Sequence, residues 1–179
     1  MNIFYLSHNP KTCAKQHLDK HCVKMIVEYA QLLSTAHRML DGDQWTDRTA
    51  NGRRIKRWKH PTLDDVLYKA SHVNHPSAVW VRQSRENYDY LYQLFIELCR
   101  EYQHRYGRVH ATQSLLASVL SQSPRNIPDG EFTQPTPAMP DQYKTDCSIA
   151  SYRQYYIQDK AYIAAWTKRE IPEWFGEVA

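Results

Sequence analysis

Cysteine is sparse: Cys13, Cys22, Cys99 and Cys147 lie far apart in 179 residues, with no CxxC pair. That spacing excludes a disulfide scaffold and a cysteine-rich zinc knuckle, and makes a reducing cytosol the default setting. No run of about 18 apolar residues exists to span a membrane. The opening MNIFYLSHNPK lacks the basic and apolar regions of a secretory signal, so the sequence predicts a soluble, unexported protein. Only five glycines occur, and long stretches also lack proline, which favours uninterrupted helices over a turn-rich sandwich. Charge of one sign does not dominate either. A net charge of +4 and a pI near 8.8 leave the choice of partner open.

What the chain does have is an apolar share of 42%, enough for a proper core and incompatible with disorder or a fibre. Thirteen tyrosines and five tryptophans either fill that core or stack on planar ligands such as bases. Asn9-Pro10 reads as N-cap and first helical position, and no glycine or proline interrupts a helical pattern from Lys11 to about Leu40, where Asp41-Gly42 stops it. Residues 41–61 read as polar, basic loop, and Thr62 to Asp65 as a capping box opening a helix to about Val73. After Asn74-His75-Pro76 a second long helix runs to Tyr106 with Gly107 as its C-cap, followed by a short helix over Thr112–Ser121. Five prolines make 122–147 a long loop, and a last helix starts at Ser148 and reaches about Trp166. The expected fold is mostly α: one domain over 1–179, a helical bundle of about five helices with a long Pro-rich loop and a short N-terminal extended segment, Ile3 to Leu6.

On a wheel of the first helix, Ala14, Leu18, Cys22, Met25, Ile26, Tyr29, Leu32, Leu33 and Ala36 form a buried arc extended by Val23, Val27 and Ala30. His17, His21, Lys24, Glu28, Gln31 and Thr35 share the remaining narrow strip, which lines a pocket or is simply the solvated face. As a pocket it offers two imidazoles for proton transfer, Lys24 to stabilise phosphate charge, and Glu28 to orient a neighbour. No motif calls for a cofactor. The His17/His21 spacing would also suit a divalent metal, given a third ligand from His37, His72, His75, His104 or His110. Glu28, about 10 Å further along the axis, cannot complete such a site. The lone Glu101/His104 pair does not make a di-iron bundle.

Anion binding has its own candidates. Arg48, Arg53, Arg54, Lys56, Arg57 and Lys59 form a basic run with Trp58 and no acidic residue between them, suited to gripping phosphate and stacking a base, or to being a solvated loop. His75 stands before Pro76 at a helix start, as cap or anion contact. Arg153 and Tyr156 join an aromatic-basic cluster on the last helix, and Gln134, with Thr133 and Thr136, offers uncharged hydrogen bonds from a Pro-rich wall.

MNIFYLSHNPKTCAKQHLDKHCVKMIVEYAQLLSTAHR, NHPSAVW, Arg105-Tyr106-Gly107 with His110, EFTQPTPAMP and SYRQYYIQDK together resemble a family of small proteins of tailed bacteriophages, cyanophages included. The resemblance spans most of the chain and implies action in the cytoplasm of an infected bacterium, in nucleotide metabolism, DNA processing or evasion of host defence. It transfers no catalytic residue. Three functions follow as expectations: phosphodiester cleavage of a nucleotide or small oligonucleotide by His17/His21 acid/base chemistry, sequestration of a nucleotide-derived immune signal without catalysis, or a nucleic-acid-binding accessory role. A structural or assembly protein with a wet helix face is the bland alternative. Three long helices would also permit a homo-oligomer, although no heptad seam specifies one.

Overall fold

The first helix of the computed structural model, which describes residues 1–176, begins as predicted: the Asn9 side chain accepts the Thr12 amide and Pro10 opens α1 (Pro10–Gln16). It then stops, where the sequence predicts continuation. His17 Nδ1 lies 2.8 Å from the Cys13 carbonyl, the acceptor that the His17 amide would take in a continuing helix, and that amide falls back on the Ala14 carbonyl. The chain restarts as α2 (Asp19–Asp41) without a side-chain cap. Instead, the orphan Asp19 amide reaches the carbonyl of Ala165.

Residues 41–61 are not loop. Asp43–Arg48 (β1) and Arg54–Lys59 (β2) pair antiparallel, Trp45 opposite Arg57 and Asp43 opposite Lys59. Gly52 closes the turn at φ +79°. The hairpin leaves α2 through Gly42, where a Cβ would stand 2.5 Å from the Arg38 carbonyl oxygen. Nor does Thr62 open a helix. His60 Nδ1 accepts the amides of Thr62 and Leu63, and the chain then makes turns over 61–66, runs without regular structure through 68–72, and turns again at His72, φ +49°, to reach His75.

The predicted second helix is likewise two: α3 (Pro76–Val81), capped by His75, and α4 (Arg85–Tyr106), capped by Ser84 and ended by Gly107 at φ +69°. Then come α5 (Ala111–Leu116), the largely extended Pro-rich segment, α6 (Ser148–Asp159) and α7 (Glu173–Gly176). The fold is mostly α, about half helix, with one small two-stranded sheet. No helix among the described residues is long and apolar enough to cross a membrane.

Buried side chains from Ile3 to Phe175 form one cluster around α2 and α4. The predicted arc of α2 is buried as expected, but Val23 and Val27 are about 40% exposed, so the apolar stripe is narrower than the wheel suggested. The segment Ile3 to Leu6 crosses this core with no strand partner among the described residues, because side chains satisfy its backbone. Tyr29 Oη accepts the Phe4 amide, Cys13 Sγ accepts the Leu6 amide and donates to the Phe4 carbonyl, and Arg153 donates twice to the Leu6 carbonyl.

Candidate functional site

The polar strip on α2 does not converge on a cavity. His17 is fully buried with both ring nitrogens engaged: Nδ1–H donates to the Cys13 carbonyl, so Nε2 of the neutral ring accepts from the Tyr29 hydroxyl at 2.7 Å. His21 is covered by Phe4, stacked at 4.1 Å, and its Nδ1 meets the Tyr156 hydroxyl at 2.7 Å. Desolvation lowers the pKa of His17 to about 4 and of His21 to about 3, so both rings are neutral near pH 7. Lys24 instead points to solvent and pairs with Glu28 at 3.1 Å. None of the four clefts described below is lined by these four residues.

Further along, the strip is a rail that holds backbone. Gln31 Nε2 donates to the Lys69 carbonyl, Thr35 Oγ1 accepts the Ser71 amide, and Arg38 spends its guanidinium on the carbonyls of Trp58, Asp64, Leu67 and Tyr68 and on the Asp64 carboxylate. Steps of four and three place polar side chains under the non-helical 64–71 segment. Such a rail and a solvated face look alike in sequence, because the segment laid on it lies 26 to 38 residues away.

Other candidates are also spent on the fold. His75 Nδ1 accepts the Ser77 amide as helix cap. Tyr156 is fully buried against His21, out of reach of any ligand. Arg153 clamps Leu6 and lies over the Trp174 ring at 5.2 Å, at the edge of a cleft of about 380 Å³ shared with Gln16 and Glu173. Gln134 Oε1 accepts the Ser148 amide at the start of α6. It lines an open cleft of about 710 Å³ with His8, Thr136 and Asp146, while Thr133 is held by Trp80 and Asn87. A small cleft of about 150 Å³ surrounds the Glu101–Arg169 ion pair.

The hairpin makes the remaining cleft. About 520 Å³ lies between its strands and the 64–70 segment, lined by Trp45, Asp47, Arg57, Trp58 and Lys59 on one side, Asp64, Asp65, Leu67, Lys69 and Ala70 on the other, with Arg38 joining the two. Arg57 is held by Asp47 at 2.8 Å and Arg38 by Asp64, and each arginine pulls its carboxylate below the usual range. Lys59 and Lys69 have no ion pair among the described residues. Trp45 is 48% exposed. Of the predicted ligand residues, the structure therefore brings Arg57 and Trp58 to one cleft and leaves Arg53 and Arg54 exposed near the hairpin tip. Sequence reasoning missed Trp45, Lys69 and Arg38; the Asn51-Gly52 pair was the available hairpin signal.

At the hairpin root, His37, Asp41 and His60 have ligating atoms within 4.8 Å of one another. His37 Nδ1 and His60 Nε2 are buried there without a hydrogen-bond partner among the described residues, an arrangement costing about 1–3 kcal/mol for each unpaired group. No protein-family model, curated protein or solved structure matches the chain.

Proposed function

We propose that the protein binds a short oligonucleotide on its hairpin and holds it without cleaving it. One observation carries this reading. Between Asp43 and Lys59 stand six cations and two carboxylates, a net +4 that equals the net charge of the whole chain, so the remainder is neutral and the field for phosphate is local to one exposed ribbon. Opposed residues share a face. Trp45, Arg57 and Lys59 therefore fall on one face, and Arg48, Arg54, Lys56 and Trp58 on the other, the cleft taking Trp58 as well as the first three. A ligand engaging both sets is longer than one nucleotide, with a base against the half-exposed Trp45 ring and phosphates on Arg53, Arg54 and Lys56.

No acid/base step at His17 or His21 enters this reading, because both rings are buried, neutral and already hydrogen-bonded. The tailed-phage resemblance adds a setting, the cytoplasm of an infected bacterium. There, oligonucleotide immune signals are within the ligand class and sequestration is the consequence of binding.

The test is tryptophan fluorescence of the protein titrated with short mixed-sequence single-stranded DNA, RNA and cyclic oligonucleotides, with mass spectrometry of the recovered ligand. Saturable quenching, at least tenfold weaker in Trp45→Ala and in the Arg53→Ala/Arg54→Ala double variant, with intact ligand returned on heating, is the expected result. Equal affinity in the double variant would remove the hairpin from the reading, and a product of shifted mass would replace sequestration by catalysis.

A further inference from the structure

Asp41 is the last residue of α2, two residues before β1, and His60 immediately follows β2. His37 lies one turn back from Asp41 on the same helix. The two ends of the hairpin thus meet one helix at three ligand-type side chains, whose ring nitrogens, His37 Nδ1 and His60 Nε2, are buried and unpartnered.

We propose that His37, Asp41 and His60 bind one divalent transition cation of the zinc class, which fastens the root of the hairpin to α2. Two imidazoles and one carboxylate are a donor set of borderline softness, suited to Zn²⁺, Co²⁺ or Ni²⁺ and poor for Ca²⁺ or Mg²⁺. The surroundings orient the ligands. Tyr88 donates its hydroxyl to the Leu120 carbonyl, so its oxygen accepts Nε2–H of His37 at 2.9 Å and leaves Nδ1 with a free lone pair. The backbone amide and Nδ2 of Asn126 both donate to Asp41 Oδ1, while Oδ2 takes only the Arg125 amide and keeps a lone pair to give. The nearest buried positive charge, Arg38, is neutralised by Asp64.

His60 must change on binding. Its Nδ1 accepts the Thr62 and Leu63 amides, so in the cation-free protein Nε2 carries the ring proton. Coordination moves that proton to Nδ1 and releases the two amides, with no net loss of a proton from the ring. Pro61 and Thr62 are exposed, so the freed turn is met by water. The ligand atoms also draw in, since bonds of about 2.0–2.1 Å put tetrahedral neighbours about 3.4 Å apart.

The experiment is a titration of chelator-treated, tag-free protein with Zn²⁺, read by calorimetry and by ¹⁵N spectra of the histidine rings, with Co²⁺ as an absorbing probe. One Zn²⁺ per chain is expected, with the His60 proton moving from Nε2 to Nδ1, affinity at least tenfold lower in Asp41→Asn and His60→Ala, and unchanged in His72→Ala. Helical circular dichroism checks that each variant is folded. Absence of a saturable site, or a site indifferent to Asp41→Asn in a folded variant, would overturn the proposal. So would a bound ion that shifts only the ring signals of His8, His72 or His104. Oligonucleotide binding can fail while this site stands, because neither readout uses that ligand.

Discussion

Arg38 donates to the Trp58 carbonyl at 2.9 Å from the same guanidinium that holds Asp64, Leu67 and Tyr68, so one buried side chain ties the hairpin to the opposite wall of the cleft. Replacing it by methionine keeps the stem in the core and removes every one of those bonds. The Trp58 and Leu67 carbonyls are then left without their donor, and Asp64 without its counter-ion. A loss of about 3–5 kcal/mol in urea unfolding is expected. A loss below about 1 kcal/mol would show that the cleft walls hold together without Arg38.

Gly42 makes a second, backbone-level demand on the same junction. In Gly42→Ala the new methyl would sit 2.5 Å from the Arg38 carbonyl oxygen and 3.0 Å from that of Lys59, both main-chain atoms that cannot swing aside. Separation of β2 from the end of α2, with a cost of about 1–3 kcal/mol, is expected. Amide exchange should rise in 43–59 while α4 stays protected. Uniform protection in a variant of native stability would contradict this packing.

The parts of the fold legible in sequence were those with local causes. The Asn9, His75 and Gly107 boundaries each rest on a residue within three positions of the helix end, and the α2 arc follows from periodicity alone. The parts that failed depend on distant partners. The break at His17 needs a ring that captures Cys13 and a carbonyl from Ala165 to cap Asp19. Arg38 looked like an ordinary helix residue until the 64–68 carbonyls arrived. For the candidate site, the basic run with its tryptophan leads to Arg57 and Trp58, which line the hairpin cleft, while imidazoles one turn apart look the same whether they face a pocket or, as His17 and His21 do, two core tyrosines. Trp45 escapes the sequence reading because a polar, basic stretch reads as loop, although its β-forming Trp45, Thr46, Ile55 and Trp58 flank an Asn-Gly turn.

Salt should separate hairpin binding from binding elsewhere. If three or four phosphates are engaged by the ribbon, log K for single-stranded ligand falls against log salt with a slope of about −2 to −3. Arg53→Ala/Arg54→Ala should reduce that slope by about one unit or more. Trp45→Ala should weaken binding by about 1–3 kcal/mol with the slope kept. A slope unchanged by the double arginine variant would place the phosphates somewhere other than the hairpin.

Acid should unfold this protein early, and the sign follows from three buried rings. Burial lowers His17 and His37 to about 4 and His21 to about 3, from an ordinary value of 6.5. As pH falls below about 6.5 the unfolded chain protonates these rings and the folded chain does not, so the unfolded state binds more protons throughout the window down to about 4. The stability contributed by neutral burial is complete above about pH 6.5 and declines as pH drops, each ring contributing up to about 1.4 kcal/mol per pH unit. Thermal unfolding followed from about pH 7.5 to 5 should therefore show a steep fall in Tm below about pH 6.5. The hydrogen bond from Tyr29 acts on the same balance, because it needs the unprotonated Nε2 of His17 as acceptor. Tyr29→Phe should cost about 1–2 kcal/mol at neutral pH, because it leaves the buried His17 Nε2 without its donor. A Tm that stays level between about pH 6.5 and 5 would mean that these rings are open to protons, and would return His17 and His21 to the set of groups able to exchange a proton with a ligand.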